Sequence, residues 1–111
     1  MTKVEALLLE ATADAQDTEE AAEVLLLYLQ ETVSLPFLTK VLGVEVQVVG
    51  FEEGPDISHL AICRRGKIEQ RIPVQDLPLP SPPPPGHEMI AAYRLWLERE
   101  GFMEPVQRQL R

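Results

Sequence analysis

Residues 44–48 read Val-Glu-Val-Gln-Val, and this stretch decides the fold class. Its three valines alternate with two polar residues, which is the period of a β-strand that buries one face. Immediately upstream, Phe37–Leu42 predicts a preceding strand, and Gly43 supplies the turn between the two. The sheet is therefore expected to begin with a hairpin at Gly43.

Two more strands are predicted further along the chain, over Ile57–Arg64 and Lys67–Val74. A tight hairpin at Arg65-Gly66 joins them, since glycine is favoured in two-residue turns. Pro73 cannot donate a hydrogen bond to a neighbouring strand, so the end of the last strand should lie at a sheet edge. Four short strands joined by short turns predict a small, strongly bent barrel.

Two segments with helical spacing of apolar residues precede the predicted strands. Residues 3–13 place apolar side chains at i, i+3, i+4 and i+7, behind a capping box formed by Thr2 and Glu5. Asp17 is the predicted N-cap of a second helix, which is apolar on most sides and should be largely buried. This helix should end before Pro36, because proline disfavours helical geometry at the preceding residue.

Beyond the strands, residues 78–86 hold six of the ten prolines. This composition predicts a polyproline II spacer, extended by about 3.1 Å per residue. Apolar residues then recur at helical spacing over 87–99, and Gly101 suits the end of that helix. The helix should dock on the barrel or on the N-terminal helices and bury Trp96, while 102–111 is equally compatible with a short helix or an irregular tail.

The length of 111 residues fits one domain, and the aromatic fraction of only 5% means that aliphatic side chains must supply the core. We therefore predict an α+β single domain over residues 1–111. Its parts are a helical N-terminal part (1–35), a barrel of four to five strands (36–77), a Pro-rich spacer (78–86), and a C-terminal helix and tail (87–111).

The formal charge of −8 argues against binding to nucleic acid or to an anionic membrane, because both require clusters of Lys and Arg. Residues 1–35 carry eight acidic residues and one basic residue, so the acidity is concentrated there. No apolar run reaches the length of about 18 residues that a spanning helix needs. The single cysteine, Cys63, cannot form an internal disulfide, and we expect a cytoplasmic protein.

The stretch from Tyr28 to Leu77 resembles one known family. The motifs that carry the resemblance are Tyr28-Leu29-x-Glu31-x-x-Ser34-x-Pro36-Phe37, Lys40-Val41, Val44-Glu45-Val46-x-Val48-x-Gly50 and Ile72-Pro73-Val74-x-x-Leu77. They are similar to the CcbP-like small calcium-binding proteins, typified by the cyanobacterial calcium-binding protein. This resemblance implies an SH3-like barrel and reversible calcium binding by surface carboxylates without an EF-hand loop. It places the acidic loop at Glu52, Glu53 and Asp56, with Glu45 and Asp76 as possible additional ligands.

The chemistry of that loop fits weak calcium binding. Calcium takes six to eight oxygen ligands, and a turn bearing Glu52, Glu53 and Asp56 supplies about half of them, with water completing the shell. A solvated polar turn is the simpler interpretation of the same residues. No Asp-x-Asp-x-Asp-Gly pattern occurs in the chain, which excludes an EF-hand. The first prediction is thus a non-enzymatic calcium-binding protein, a buffer or a sensor.

The alternative prediction is a protein-interaction module, an adaptor or an immunity-type partner. A run of acidic residues near the start of the second helix would dock a basic protein, and the Pro-rich segment would add a second contact surface. The helix dipole also explains negative charge at that position. No nucleophile motif is present, and His59 and Cys63 would lie about 13 Å apart on one strand face, so no enzyme activity is predicted. The acidic residues of the run are Asp14, Asp17, Glu19, Glu20 and Glu23.

Overall fold

The computed structural model describes residues 1–102, in which three α-helices accompany a four-stranded antiparallel sheet. The predicted α+β class is confirmed, and the predicted tail structure over 103–111 lies outside the described residues. Within residues 1–102, no helix is long and apolar enough to cross a membrane. The elements are α1 (Lys3–Thr12), α2 (Thr18–Thr32), β1 (Phe37–Val41), β2 (Val44–Glu52), β3 (Leu60–Arg65), β4 (Ile68–Pro73), a 3-10 turn (Val74–Asp76) and α3 (Glu88–Arg99).

Both N-terminal helices begin at the caps that the sequence predicts. The Thr2 hydroxyl accepts a hydrogen bond from the Glu5 N–H at 3.0 Å, and the Glu5 carboxylate accepts one from the Thr2 N–H at 2.8 Å. At α2, the Asp17 carboxylate accepts from the Glu20 N–H at 2.9 Å. These bonds satisfy backbone donors that have no partner inside the helix, and so they fix where each helix starts.

Two-residue turns join the outer pairs of strands. Leu42 and Gly43 have φ values of 52° and 78°, the pattern of a type I′ turn, and β1 ends at Val41 for that reason. Gly66, at φ 60°, occupies the first central position of the turn between β3 and β4. Two-residue turns with a positive φ at the first central position match the twist of the flanking strands, and they set the register of each hairpin.

The sheet is open, so the predicted SH3-like barrel is not confirmed. The strands follow the order β1-β2-β3-β4, so that β1 and β4 form opposite edges and do not pair with each other. The Thr39 hydroxyl on β1 donates to the Pro78 carbonyl at 2.7 Å, which holds the Pro-rich segment beside this edge. Proline lacks an N–H group, so this segment cannot continue the sheet and it occupies the side on which a barrel would close.

The sheet has one face toward the core, and a bulge in β2 preserves that arrangement. Val48 pairs with Cys63 and Gly50 with Ile62, which leaves Val49 as an extra residue. The extra residue shifts the alternation of β2 so that Phe51, like Val48, points into the core. The apolar face of α2, which buries Leu25 and Leu29, packs on this part of the sheet.

The third helix packs mainly against α1 and also contacts α2, so it docks on the N-terminal helices. Trp96 is 7% exposed, which confirms its predicted burial. Ion pairs flank the contact between α1 and α3, joining Lys3 to Glu88 and Glu5 to Arg99, each at 3.2 Å. Exposed pairs of this kind contribute little, so apolar burial carries the helix packing.

The Pro-rich segment is fixed at both ends. At its start the Pro78 carbonyl accepts from the Thr39 hydroxyl, and at its end the Pro85 carbonyl accepts from the Ser34 N–H at 2.9 Å, just after α2 ends. The His87 N–H then donates to the Pro84 carbonyl at 3.1 Å, closing a turn in which Gly86 has φ 85°. A Cβ atom on Gly86 would lie 2.0 Å from the Thr32 carbonyl oxygen, so only glycine fits this close approach.

Candidate functional site

An acidic cleft of about 510 Å³ lies between the start of α2 and the loop that joins β2 to β3. Four carboxylates line it, which gives the cleft a formal charge of −4. The helix contributes two of them and the loop contributes the other two. The lining residues are Thr18, Glu19, Ala22, Glu23, Glu53, Gly54, Asp56, Ile57 and His59.

The helical side of the cleft follows directly from the local sequence. Glu19 and Glu23 are four residues apart, so both side chains project from the same face of α2. Negative charge is favoured in a first helical turn because the backbone N–H groups there carry partial positive charge. The Asp17 cap fixes the start of the helix and with it the position of Glu19.

On the loop side of the cleft, a backbone turn and a side-chain hydrogen bond shape the chain. The Ser58 N–H donates to the Pro55 carbonyl at 3.0 Å, which closes a turn with Asp56 at φ 53°. Gly54 passes so close to this turn that an added Cβ would lie 2.1 Å from the Ser58 carbonyl oxygen. The Gln75 amide donates to the Ser58 hydroxyl at 3.0 Å and ties the turn to the 3-10 segment.

His59 forms a buried part of the cleft wall and is 1% exposed. Its Nε2 lies 2.7 Å from the Ala22 carbonyl oxygen. A carbonyl can only accept, so in the neutral imidazole Nε2 carries the proton and Nδ1 keeps a lone pair. That Nδ1 is buried and has no hydrogen-bond partner among residues 1–102. His59 therefore adds a buried imidazole to the wall of a cleft that four carboxylates line.

Tyr93 on α3 supports the cleft from behind. Its hydroxyl donates to the Ile57 carbonyl at 2.6 Å and accepts from the His59 N–H at 2.8 Å. The Tyr93 ring also stacks on the His59 imidazole. Burial raises the pKa of Tyr93 to about 12, so its hydroxyl keeps its proton and remains a donor at neutral pH.

The predicted calcium ligands separate into two groups. Glu53 and Asp56 both line the cleft. Glu52 lies on the opposite face of the sheet, because Phe51 points into the core and successive side chains of a strand alternate. There the Glu52 carboxylate accepts from the Arg71 guanidinium at 3.3 Å.

The two additional predicted ligands also lie apart from the cleft. Glu45 is on β2, directly opposite Lys40 of β1 and near the hairpin turn. Asp76 is the last residue of the 3-10 turn and lines a different surface depression. In the part of the chain that the structure describes, no three His, Cys, Asp or Glu side chains are arranged to hold a metal ion. The five residues predicted to share calcium are thus not brought together.

The sequence did not predict how the cleft is assembled. Glu19 and Glu23 belong to the acidic run that is predicted to dock a basic protein, but nothing local connects them to the loop at Glu53. His59 carries a clearer signal, because Ile57, His59, Ala61 and Cys63 recur at a period of two. That period places the imidazole on the buried face of the sheet, where all four residues are in fact buried.

A second surface lies at the other end of the core face of the sheet. Here the face continues past the buried residues and forms an apolar groove of about 270 Å³. Val44 and Ile68 line it and are 42% and 66% exposed, and Leu42 at the hairpin tip is 99% exposed. Apolar surface left open in this way often marks an interaction site.

The comparisons with known proteins give no family for this chain. The resemblance to the CcbP-like proteins therefore stays a prediction that rests on the quoted motifs. No protein-family model, no curated protein and no solved structure matches the chain.

Proposed function

We propose that this chain is a non-enzymatic protein-interaction module whose acidic cleft binds a cationic side chain of a partner protein. The ligand is a Lys ammonium or an Arg guanidinium. The observation that supports it is the convergence of four carboxylates, Glu19, Glu23, Glu53 and Asp56, on one cleft. An ammonium offers three donors and a guanidinium five, so either can use several of these acceptors together.

An organic cation fits the cleft better than a bare metal ion. A metal requires several ligand atoms within a narrow range of short distances, and calcium takes six to eight oxygens. Within residues 1–102, no group of three suitable side chains meets that requirement. A Lys or Arg side chain instead donates hydrogen bonds, which are longer than metal–oxygen bonds, and it can donate to carboxylates on opposite walls of the cleft.

The surrounding charge supports a basic partner. Residues 1–35 carry eight acidic residues against one basic residue, and α2 presents several of them near the cleft. Asp14 and Glu20 are exposed and lie outside the set that lines the cleft. Such a field attracts a basic surface before contact, and the carboxylates in the cleft then bind one of its side chains.

Calcium is the second candidate ligand for the same cleft. Two of its predicted ligands, Glu53 and Asp56, line the cleft, and Glu19 and Glu23 add two carboxylates to them. Water would have to supply much of the coordination shell. Calcium would then bind at the weak end of its range, with a Kd of about 10⁻⁴–10⁻³ M.

Titrations followed by amide chemical shifts distinguish these candidates. The probes are a tetralysine peptide, N-acetyl-arginine amide and calcium chloride, each added to the full chain at low salt. We expect the peptide and the arginine derivative to shift the amides of residues 19–23 and 53–59. A calcium response at those amides, with none from the organic cations, would assign the cleft to the metal instead.

Two neighbouring glutamates provide a matched pair of variants. Glu53→Gln removes a carboxylate from the cleft, and Glu52→Gln removes an identical charge from the opposite face of the sheet, where Glu52 contacts Arg71. We expect Glu53→Gln to weaken binding of the tetralysine peptide by about fivefold to tenfold, as expected for the loss of one charged hydrogen bond. At high salt, where a charge outside the cleft is screened, Glu52→Gln should change it less than twofold. Equal effects of the two variants would contradict binding in the cleft.

A further inference from the structure

The outer edge of β4 is an unpaired strand edge in the described structure. Within residues 1–102, β4 pairs only with β3, whereas the Pro-rich segment lies beside β1 at the opposite edge. Four of the six residues of β4 are exposed. An exposed strand edge presents backbone donors and acceptors that another strand can pair with.

The pairing with β3 fixes which backbone groups point outward. The Val74 N–H donates to the His59 carbonyl at 2.9 Å, so Val74 belongs to a hydrogen-bonded pair. In an antiparallel sheet such pairs alternate with pairs that exchange no hydrogen bonds, so Ile72, Gln70 and Ile68 bond inward to β3. Glu69 and Arg71 therefore direct their N–H and carbonyl groups away from the sheet.

The side chains along β4 are complementary to those of a second, antiparallel copy of β4. When two copies of the strand run antiparallel about Gln70, Glu69 of each copy lies opposite Arg71 of the other. Ile68 then lies opposite Ile72, and Gln70 faces its own copy. Charged residues on an edge usually oppose strand pairing, but here the opposite charges stand at equal distances from Gln70 and match in pairs.

We propose that this chain forms a symmetric homodimer in which β4 pairs antiparallel with β4 of a second copy, centred on Gln70. The register makes Glu69 and Arg71 a hydrogen-bonded pair, which gives four backbone hydrogen bonds across the two-fold axis. The two four-stranded sheets become one sheet of eight strands. This interface lies away from the residues that line the acidic cleft, so the inference goes beyond the proposed function and either one can fail alone.

The apolar groove supports the choice of a second copy as the partner. Ile68 and Ile72 point to the core side of β4 and line the groove, and Ile68 is 66% exposed. In the proposed register each of these isoleucines gains the other as a neighbour across the axis. The pairing thus covers part of the exposed apolar surface and joins two grooves side by side.

Sedimentation velocity of the full chain tests the dimer over concentrations that reach the millimolar range. We expect the mass to rise from 12.5 kDa toward about twice that value. Glu69→Arg places arginine opposite Arg71 at both ends of the interface, and it should weaken dimerisation about tenfold or more. The double variant Glu69→Arg/Arg71→Glu restores opposite charges and should restore the dimer. A monomer at every concentration, or a double variant as weak as the single variant, would overturn the proposal.

Disulfide trapping tests the register independently. The Cα atoms of two facing residues that exchange no hydrogen bonds are about 4.5 Å apart, within the range that a disulfide spans. In a Cys63→Ala background, which removes the thiol directly opposite residue 70, Gln70→Cys should cross-link when oxidised glutathione accepts the two electrons. Glu69→Cys places the two thiols two residues out of register and should cross-link much less. Equal cross-linking of both variants would refute the register.

Discussion

Tyr93 on α3 and His59, the residue that precedes β3, are joined by two different contacts. The Tyr93 hydroxyl accepts the His59 backbone N–H at 2.8 Å, and the two rings stack with centroids 5.4 Å apart. The same hydroxyl donates to the Ile57 carbonyl. The last helix of the described chain therefore fixes the backbone that leads into the acidic cleft, although it supplies no residue that lines the cleft.

Tyr93→Phe should destabilise the fold, because it leaves the Ile57 carbonyl and the His59 N–H buried without this partner. Buried polar groups that lose their partner cost about 1–3 kcal/mol, and we expect a loss of unfolding free energy in that range. Urea denaturation followed by circular dichroism measures it. Tyr28→Phe is the control, because Tyr28 is half-buried and should lose less than about 0.5 kcal/mol. Equal losses in the two variants would contradict the role of the Tyr93 hydroxyl.

The stability of the fold should also fall at alkaline pH because of Tyr93. Burial raises the pKa of Tyr93 from 10.0 to about 12 in the folded chain. A raised pKa means that folding favours the protonated phenol, so this contribution is complete below pH 10 and is lost as the pH rises from 10 through about 12. Comparing the wild-type chain with Tyr93→Phe in urea across that interval isolates this phenol from other groups. Parallel curves for the two proteins would contradict the assignment.

Gly86 and Gly101 have nearly the same φ but different surroundings, so substituting each one separates the cost of the left-handed backbone from the cost of a steric clash. Gly86 has φ 85° and Gly101 has φ 83°. An added Cβ at Gly86 would lie 2.0 Å from the Thr32 carbonyl oxygen, whereas at Gly101 it would meet no atom of the described residues within 4 Å, its chain neighbours aside. Gly101→Ala should lose about 1–2 kcal/mol from the left-handed conformation alone.

Gly86→Ala should lose a further 1–3 kcal/mol or so, because the new methyl group displaces the end of α2. Thermal and urea denaturation of both variants provide the comparison. A Gly86→Ala variant as stable as Gly101→Ala would mean that the Pro-rich segment is not held tightly against Thr32. The two substitutions are matched because each introduces the same atom at the same φ.

Short-range signals allowed the helix starts and the hairpins to be predicted. The caps at Thr2 and Asp17 depend on residues three positions away, and the turn at Gly66 depends on one glycine. Each is set by backbone groups that find their partners locally. Whether the sheet closes depends instead on what lies beside β1, where the Thr39 hydroxyl contacts the Pro78 carbonyl. No pattern within either segment signals this contact.

The cleft was only half predictable for a similar reason. Glu53 and Asp56 stand out as acids in a turn, but Glu23 is far away in the chain and meets them only because α2 packs across the core face of the sheet. Alternation along a strand shows that Glu52 and Glu53 point in different directions only once the strand boundary is known. The bulge at Val49 shifts that alternation, so the residues alone did not separate Glu52 from the cleft.

The final prediction separates long-range attraction from direct contact at the cleft. Asp14 and Glu23 are both exposed acids of the N-terminal region, but only Glu23 lines the cleft. Exposed charges act over about 10 Å at 0.1 M ionic strength and over longer distances in dilute buffer. At low salt, Asp14→Asn and Glu23→Gln should therefore both weaken binding of a tetralysine peptide, because each removes one charge from the attracting field.

At high salt the two variants should differ. Asp14→Asn should then bind the peptide as the wild-type chain does, since screening has already removed the contribution of a distant charge. Glu23→Gln should stay about threefold to tenfold weaker, because a hydrogen-bonded ion pair in the cleft is screened less than an exposed charge. Calorimetric or fluorescence titrations at two salt concentrations measure the difference. If both variants match the wild type at high salt, the carboxylates attract basic ligands only as a diffuse field, and Glu23 does not contact the bound cation.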